Sequence, residues 1–238
     1  ILNGNKLPKE ELLVKSLCEI PGMTSITINV NKKHSNVILG EEIRLLWGQE
    51  YITDRIGDIS YQISPLSFFQ VNPVQTEILY QTAIDYAGLT GKETVIDAYC
   101  GIGTIGLIAA KKAGKVIGVE LNKDAVKDAR INAKENKITN AAFYQGDAGR
   151  FMVEMAAKGE KADVVFMDPP RAGSDERFLS SVVKLSPKKV IYISCNPETL
   201  ARDLKYLTKH HYKVEKIQPV DMFPFCDHCE TVCELVRK

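Results

Sequence analysis

The sequence predicts an α/β protein: a Rossmann-like, mostly parallel sheet preceded by a small antiparallel α+β segment. Three observations carry this. From residue 94 onward, strongly apolar strand-like runs alternate with helical ones, the pattern of a parallel sheet covered on both faces. Gly101, Gly103 and Gly106 form G-x-G-x-x-G between the first of those strands and the first of those helices, the context in which that spacing indicates a ligand-binding turn. Residues 25–64 instead hold short alternating runs broken by Asn, Gly and Asp, the signature of hairpins.

Taken in order, residues 8–20 (PKEELLVKSLCEI) read as a helix, with Pro8 and two glutamates suited to its first turn. SITINV, EIRLLWG and DISYQIS follow as antiparallel strands. Asn72 and Pro73 open a helix as N-cap and first-turn proline. Val74, Ile78, Leu79, Ala83, Tyr86 and Ala87 recur along it at helical spacing. Then come the strands TVIDAY, KVIGVE, AAFYQ, DVVFMD and KVIYIS, with helices starting near Thr104, Asn122, Asp147 and Asp175. A helix from Pro197 leads into YKVEKIQPV and ETVCELVRK. No helix separates these last two strands, so they should pair antiparallel.

Composition narrows the class. The 238 residues are 45% hydrophobic and 26% charged, ordinary for a globular chain and long enough for one large domain with an appendage. No apolar run approaches the ~18 residues of a membrane span. Lys6, Lys9, Glu10, Glu11 and Lys15 interrupt the first twenty residues, unlike a signal peptide. A net charge of +1 announces no global field for nucleic acid. The local basic clusters, such as Arg202, Lys205, Lys209 and Lys213, read as solvated faces. Six scattered cysteines do not make a disulfide scaffold, so reduced thiols in a cytoplasm are expected. Cys226, Cys229 and Cys233, with His228 among them, have a metal-like spacing. No second cysteine pair stands near, and the segment alternates like a strand, so no metal is expected.

In a doubly wound sheet, ligands bind beyond the carboxyl ends of the strands. Asp97 precedes the glycine turn and can orient it. Glu120 ends the second strand, where a carboxylate can take both ribose hydroxyls. Asp147 follows the third, placed for an adenine amino group or, equally, as a helix N-cap. So far a nicotinamide cofactor fits as well as any other. The fourth strand separates the readings. It ends in Asp168-Pro169-Pro170-Arg171, and the two prolines stiffen a turn that presents Asp168. Such a turn is a mark of nucleic-acid methyltransferases. Arg171 stands where amine methylators carry an aromatic residue. The fifth strand ends at Cys195, where a thiolate can add to C6 of uracil and make C5 nucleophilic. A free thiol is mostly protonated at neutral pH, and Arg171 is a candidate aid. If the last strand runs antiparallel beside the fifth, Glu230 arrives near Cys195 as the base; His228 and Asp227 are the alternatives.

These residues resemble the S-adenosylmethionine-dependent RNA uracil-C5 methyltransferases, which make 5-methyluridine in 23S ribosomal RNA or tRNA. The matching stretches are SFFQVNP (67–73), DAYCGIGTIG (97–106), GVELN (118–122), DPPRAG (168–173), SCNP (194–197) and HCET (228–231). They fall in family order over residues 55–238. The resemblance implies a seven-stranded class I methyltransferase sheet. It implies cofactor contacts from Gln70, Tyr99, Glu120 and Asp168, with Thr104 and Asp147 contributing in some relatives. Cys195 matches the nucleophile and Glu230 the proton-abstracting base. Residues 65–238 would be the catalytic domain and 1–64 the remainder of an antiparallel, RNA-contacting region. The family's OB-like barrel and iron–sulfur cysteines are not in this stretch, and the chain starts at Ile1, so a catalytic fragment is expected. The expected partner is RNA, 23S rRNA before tRNA, acted on by a cytoplasmic monomer. The competing readings are a nicotinamide oxidoreductase and a non-catalytic RNA- or cofactor-binding module.

Overall fold

The computed structural model describes residues 1–34 and 38–238. Helix α1 (Glu10–Cys18) has the two glutamates in its first turn, but it starts after Pro8, with Lys9 as its N-cap. Strand β1 (Ser25–Val30) pairs antiparallel with β2 (Glu42–Gly48), and β3 (Ile52–Ile56) with β4 (Ile59–Ile63). Strand β3 goes beyond the three runs that alternation picks out. Thr53, Asp54 and Arg55 are polar in a row, so no period-two signal marks it, and pairing with β4 defines it.

Helix α2 (Pro73–Ala87) starts as expected: Asn72 Oδ1 accepts from Gln75 N at 3.2 Å, with Pro73 in the first turn. Its buried face is only partly the predicted one. Leu79, Ala83 and Ala87 are buried, but Val74 and Ile78 are exposed, and Thr76, Tyr80 and Ile84 fill the interface instead. Apolar residues lie on both sides of this helix, so spacing alone could not choose between them.

The remaining elements alternate as expected. They are β5 (Thr94–Ala98), α3 (Thr104–Ala110), β6 (Lys115–Glu120), α4 (Lys123–Glu135), β7 (Ala141–Gln145), α5 (Ala148–Ala157), β8 (Val164–Met167), α6 (Glu176–Leu185), β9 (Lys189–Ser194), α7 (Pro197–Lys209), β10 (Tyr212–Val220) and β11 (Glu230–Arg237). Asn122, Asp147, Asp175 and Asn196 cap α4 to α7 through their side chains. Seven strands form one sheet in the order β10-β11-β9-β8-β5-β6-β7. It is parallel from β7 across to β9, and β11 runs antiparallel between β9 and β10.

Successive residues of a strand face opposite sides of the sheet, and here they feed two cores. Val95, Val116, Phe166, Ile191, Ile193 and Val232 face the side packed by α2, α3 and α4. Ile96, Ile117, Val165, Met167, Tyr192 and Cys233 face α5, α6 and α7. Burial on both faces is why these strands read as nearly continuous apolar runs.

The hairpin β3–β4 belongs to the first of these cores, through Ile56, Ile59, Tyr61 and Ile63. Helix α4 also grips the free edge of β4. Asn136 Oδ1 accepts from Ser60 N (2.9 Å) and its Nδ2 donates to Ser60 O (2.6 Å). Asn132 does the same with Gln62 (2.7 and 3.2 Å), and buried Asp128 accepts from Ser64 N (3.2 Å). Helix positions four apart rise about 6 Å and strand positions two apart about 6.6 Å. The two spacings match, so three polar side chains stand in for a neighbouring strand.

Candidate active site

Most residues singled out from sequence stand at or just beyond the carboxyl ends of β5, β6, β8 and β9. Asp97, on β5, accepts from Gly106 N through Oδ2 (2.8 Å). This fixes the first turn of α3 after the glycine loop. Gly103 lies in the left-handed region at φ 85°, which glycine adopts without steric cost. Tyr99 is left-handed too, at φ 62°, a conformation unusual for a residue with a side chain and concentrated at functional sites.

Glu120 braces the same loop: Oε2 accepts from Gly101 N (3.1 Å) and Oε1 from Asn122 N (2.9 Å). A carboxylate has about four acceptor positions, so lone pairs remain for a ligand. Tyr99, Glu120 and Asp147 together line a cleft of about 280 Å³, walled also by Leu121, Pro170 and Phe178. Asp147 is an N-cap, accepting from Arg150 N at 2.7 Å, and lines the cleft as well. The N-cap reading holds.

Gln70 and Thr104 meet at another side chain. Both hydrogen-bond the buried hydroxyl of Tyr80, Thr104 Oγ1 at 3.5 Å. The Asp168 charge also acts on that phenol, raising it further after burial. Sequence reading missed Tyr80, because a tyrosine within a helical repeat carries no mark of its side chain's destination.

Asp168, Cys195 and Glu230 form the second cluster. In the β9–β11 ladder Thr231 lies opposite Ser194, which sets Glu230 beside Cys195. Strand alternation turns Glu230 toward the α2 side with Val232, and Cys195 the same way with Ile193. Glu230 is buried, whereas His228 and Asp227 are exposed. Burial lifts the Glu230 carboxyl above the ordinary range. Burial, then the Glu230 and Asp97 charges, push Asp168 up to about 8. Asp97 rises to about 7, chiefly through burial, and its Oδ1 is buried without a partner.

The Cys195 thiol is raised as well, by burial first and then by the Glu230 and Asp168 charges. Arg171 pulls the other way but is outweighed. The aid expected of Arg171 has the expected direction and is smaller than the effects opposing it.

The loop carrying Asp168 and Arg171 is held by residues that sequence reading did not find. Asp203, fully buried, accepts from Ser174 N (2.8 Å), Tyr192 Oη (2.7 Å) and Arg202 Nε (2.8 Å). Arg202 Nη2 donates to Ala172 O (3.0 Å) and Ser174 O (2.9 Å). Arg202 had been read as part of a solvated face; its contact with the loop appears only once α7 packs beside it. Of the C-terminal cysteines, Cys233 points into the core of the α5–α7 side while Cys226 is exposed. Among the described residues no three His, Cys, Asp or Glu side chains are grouped to hold a metal.

A seven-stranded sheet in this order, with an antiparallel β11 and a glycine turn after β5, is a class I methyltransferase fold. The family model for tRNA (uracil-5-)-methyltransferase matches residues 28–238, and the chain belongs to that family. An uncharacterized RNA methyltransferase of Caldanaerobacter subterraneus subsp. tengcongensis is 49% identical over all 238 residues of this chain and 53% of its own length. One from Listeria innocua is 50% identical over the whole chain and 52% of its own. The chain thus spans about half the length of these relatives. The crystal structure of Pyrococcus abyssi tRNA (uracil-54, C5)-methyltransferase in complex with S-adenosyl-L-homocysteine superposes with a TM-score of 0.78 at 34% identity. That match covers 98% of this chain and 54% of the other.

Proposed function

We propose that this chain is the catalytic part of an enzyme that methylates C5 of a uridine in RNA, using S-adenosylmethionine. The observation that carries the reading is the pairing of Cys195 with Glu230 at adjacent strand ends, on one face of the sheet. A dehydrogenase site has no role for that pair.

The residues fit the cofactor. The cleft is near the lower size of small-molecule sites, about 300 Å³. Its apolar walls and the spare acceptors of Glu120 suit an adenosine, with Tyr99 and Asp147 alongside. Gln70, Thr104 and Asp168 would hold the rest of the molecule. When bound, S-adenosylmethionine supplies an electrophilic methyl group on a sulfonium. The protein's own residues do the remainder. The Cys195 thiolate adds to C6 of the uracil, and the electron pair of the C5–C6 double bond moves into an enolate that makes C5 nucleophilic. Once C5 carries its methyl group, the Glu230 carboxylate takes the C5 proton. The C5–H electrons re-form the double bond and the S–C6 bond breaks, returning the thiolate. A base raised by burial is suited to this step, because it lies closer to neutrality than a free carboxylate.

The target base has to leave its stack to reach Cys195, and single-stranded loops suit that best. RNA contact is assigned to residues 1–64, above all to the β1–β2 part that stands outside the main cores. Choosing 23S rRNA over tRNA rests on the resemblance alone. Two measurements test the proposal: calorimetric titration with S-adenosylhomocysteine against NAD, and transfer of labelled methyl to unmodified RNA followed by mapping of 5-methyluridine. Binding of NAD in preference would favour an oxidoreductase. Cofactor binding without transfer to any RNA would leave a non-catalytic module.

A further inference from the structure

Glu230 and Asp168 stand close enough to Cys195 to act on its thiol. A uridine reaching in brings its backbone phosphates to the rim. The rim itself carries a cationic fork. Arg171 is exposed and enters none of the ion pairs among the described residues. Its guanidinium faces the exposed ring of His228, Nη1 3.4 Å from Nε2 and Nη2 3.1 Å from Nδ1. A neutral imidazole has one acceptor nitrogen and one N–H, so at most one of these contacts is a hydrogen bond. The fork is left with donors to spare.

The backbone beneath it is fixed. Two prolines precede Arg171, Asn196 Nδ2 and Thr199 Oγ1 donate to its carbonyl (3.3 Å each), and Arg202 holds the next one. The guanidinium is close enough to Cys195 for its charge to act on the thiol. A planar guanidinium matches a phosphate's paired oxygens better than an ammonium does.

We propose that Arg171 and His228 form a subsite for a backbone phosphate of the RNA strand, next to the uridine at Cys195. The inference rests on reading Cys195 and Glu230 as a uridine site. The probe is a fluorescent oligouridylate, bound across a salt series by wild type, Arg171→Gln, Arg171→Lys and His228→Gln. Lys213→Gln, at the opposite end of the β10–β11 pair from Glu230, is the control. Arg171→Gln should raise Kd about tenfold, as for a lost charged hydrogen bond. It should also flatten the slope of log affinity against log salt by about 0.7, one single-strand phosphate contact. Arg171→Lys should keep the slope and still lose affinity; His228→Gln should weaken binding with the slope kept. Unchanged affinity and slope in Arg171→Gln, or an equal effect of Lys213→Gln, would overturn the subsite. So would a wild type that does not bind the oligomer. Titration with S-adenosylhomocysteine and methyl transfer in the same samples judge the uridine reading separately.

Discussion

Glu230 and Cys195 are 35 positions apart, yet the β9–β11 register makes them neighbours, and their roles differ in time. Cys195→Ala should form no covalent RNA complex. Glu230→Gln should still add to C6 and methylate C5, then stall, so a denaturant-resistant enzyme–RNA band should accumulate, dependent on S-adenosylmethionine. Normal turnover in Glu230→Gln would move the base to another residue. Glu120→Ala should weaken S-adenosylhomocysteine binding by roughly 1–3 kcal/mol, the scale of a hydrogen bond to a charged group; an unchanged calorimetric Kd would remove it from the site. The buried carboxyls also predict a pH dependence. Asp168 goes from an ordinary 3.8 to about 8 on folding, so the folded state holds a proton that the unfolded chain releases. That contribution to stability is full below about pH 4 and is lost as pH climbs through about 8. Urea midpoints measured over this window should fall with pH in the wild type and fall less steeply in Asp168→Asn, where Asp97, raised to about 7, still contributes.

At the scale of elements, caps and strand ends were legible because they are local. Asn72, Asn122, Asp147 and Asp175 start helices where their side chains reach backbone N–H groups three or fewer residues on. The grip of α4 on β4 was not legible. Asn132 and Gln62 are 70 positions apart, and an asparagine in a helix has many possible partners. Asn132→Ala would strand Gln62 N–H and the carbonyls of Gln62 and Ile102, to which the amide also donates. We expect a loss of about 1–3 kcal/mol in urea unfolding, with cofactor affinity little changed. A loss below a few tenths would mean that water replaces the amide.

For the molecule as a whole, the main packed body extends further toward the N-terminus than the run of α/β alternation. Ile56, Ile59, Tyr61 and Ile63 lie in the core with α2, α3 and α4. A chain starting at residue 52 should therefore unfold cooperatively, whereas one starting at residue 65 should not, as judged by near-ultraviolet dichroism and urea titration. Cooperative unfolding of the shorter chain would make the hairpin an accessory. The sequence by itself determined the α/β class, the strand and helix order apart from β3, the glycine turn and the residues at strand ends. All of these rest on periodicity and on chemistry within a few residues. Only the tertiary structure decided which face of α2 is buried, that Tyr80 joins Gln70 and Thr104, that Asp203 and Arg202 hold the Asp168 loop, and that burial and two carboxylates raise the Cys195 thiol. Each of those depends on burial and on charges brought in from distant segments. Such a field exists only after the chain has closed around it.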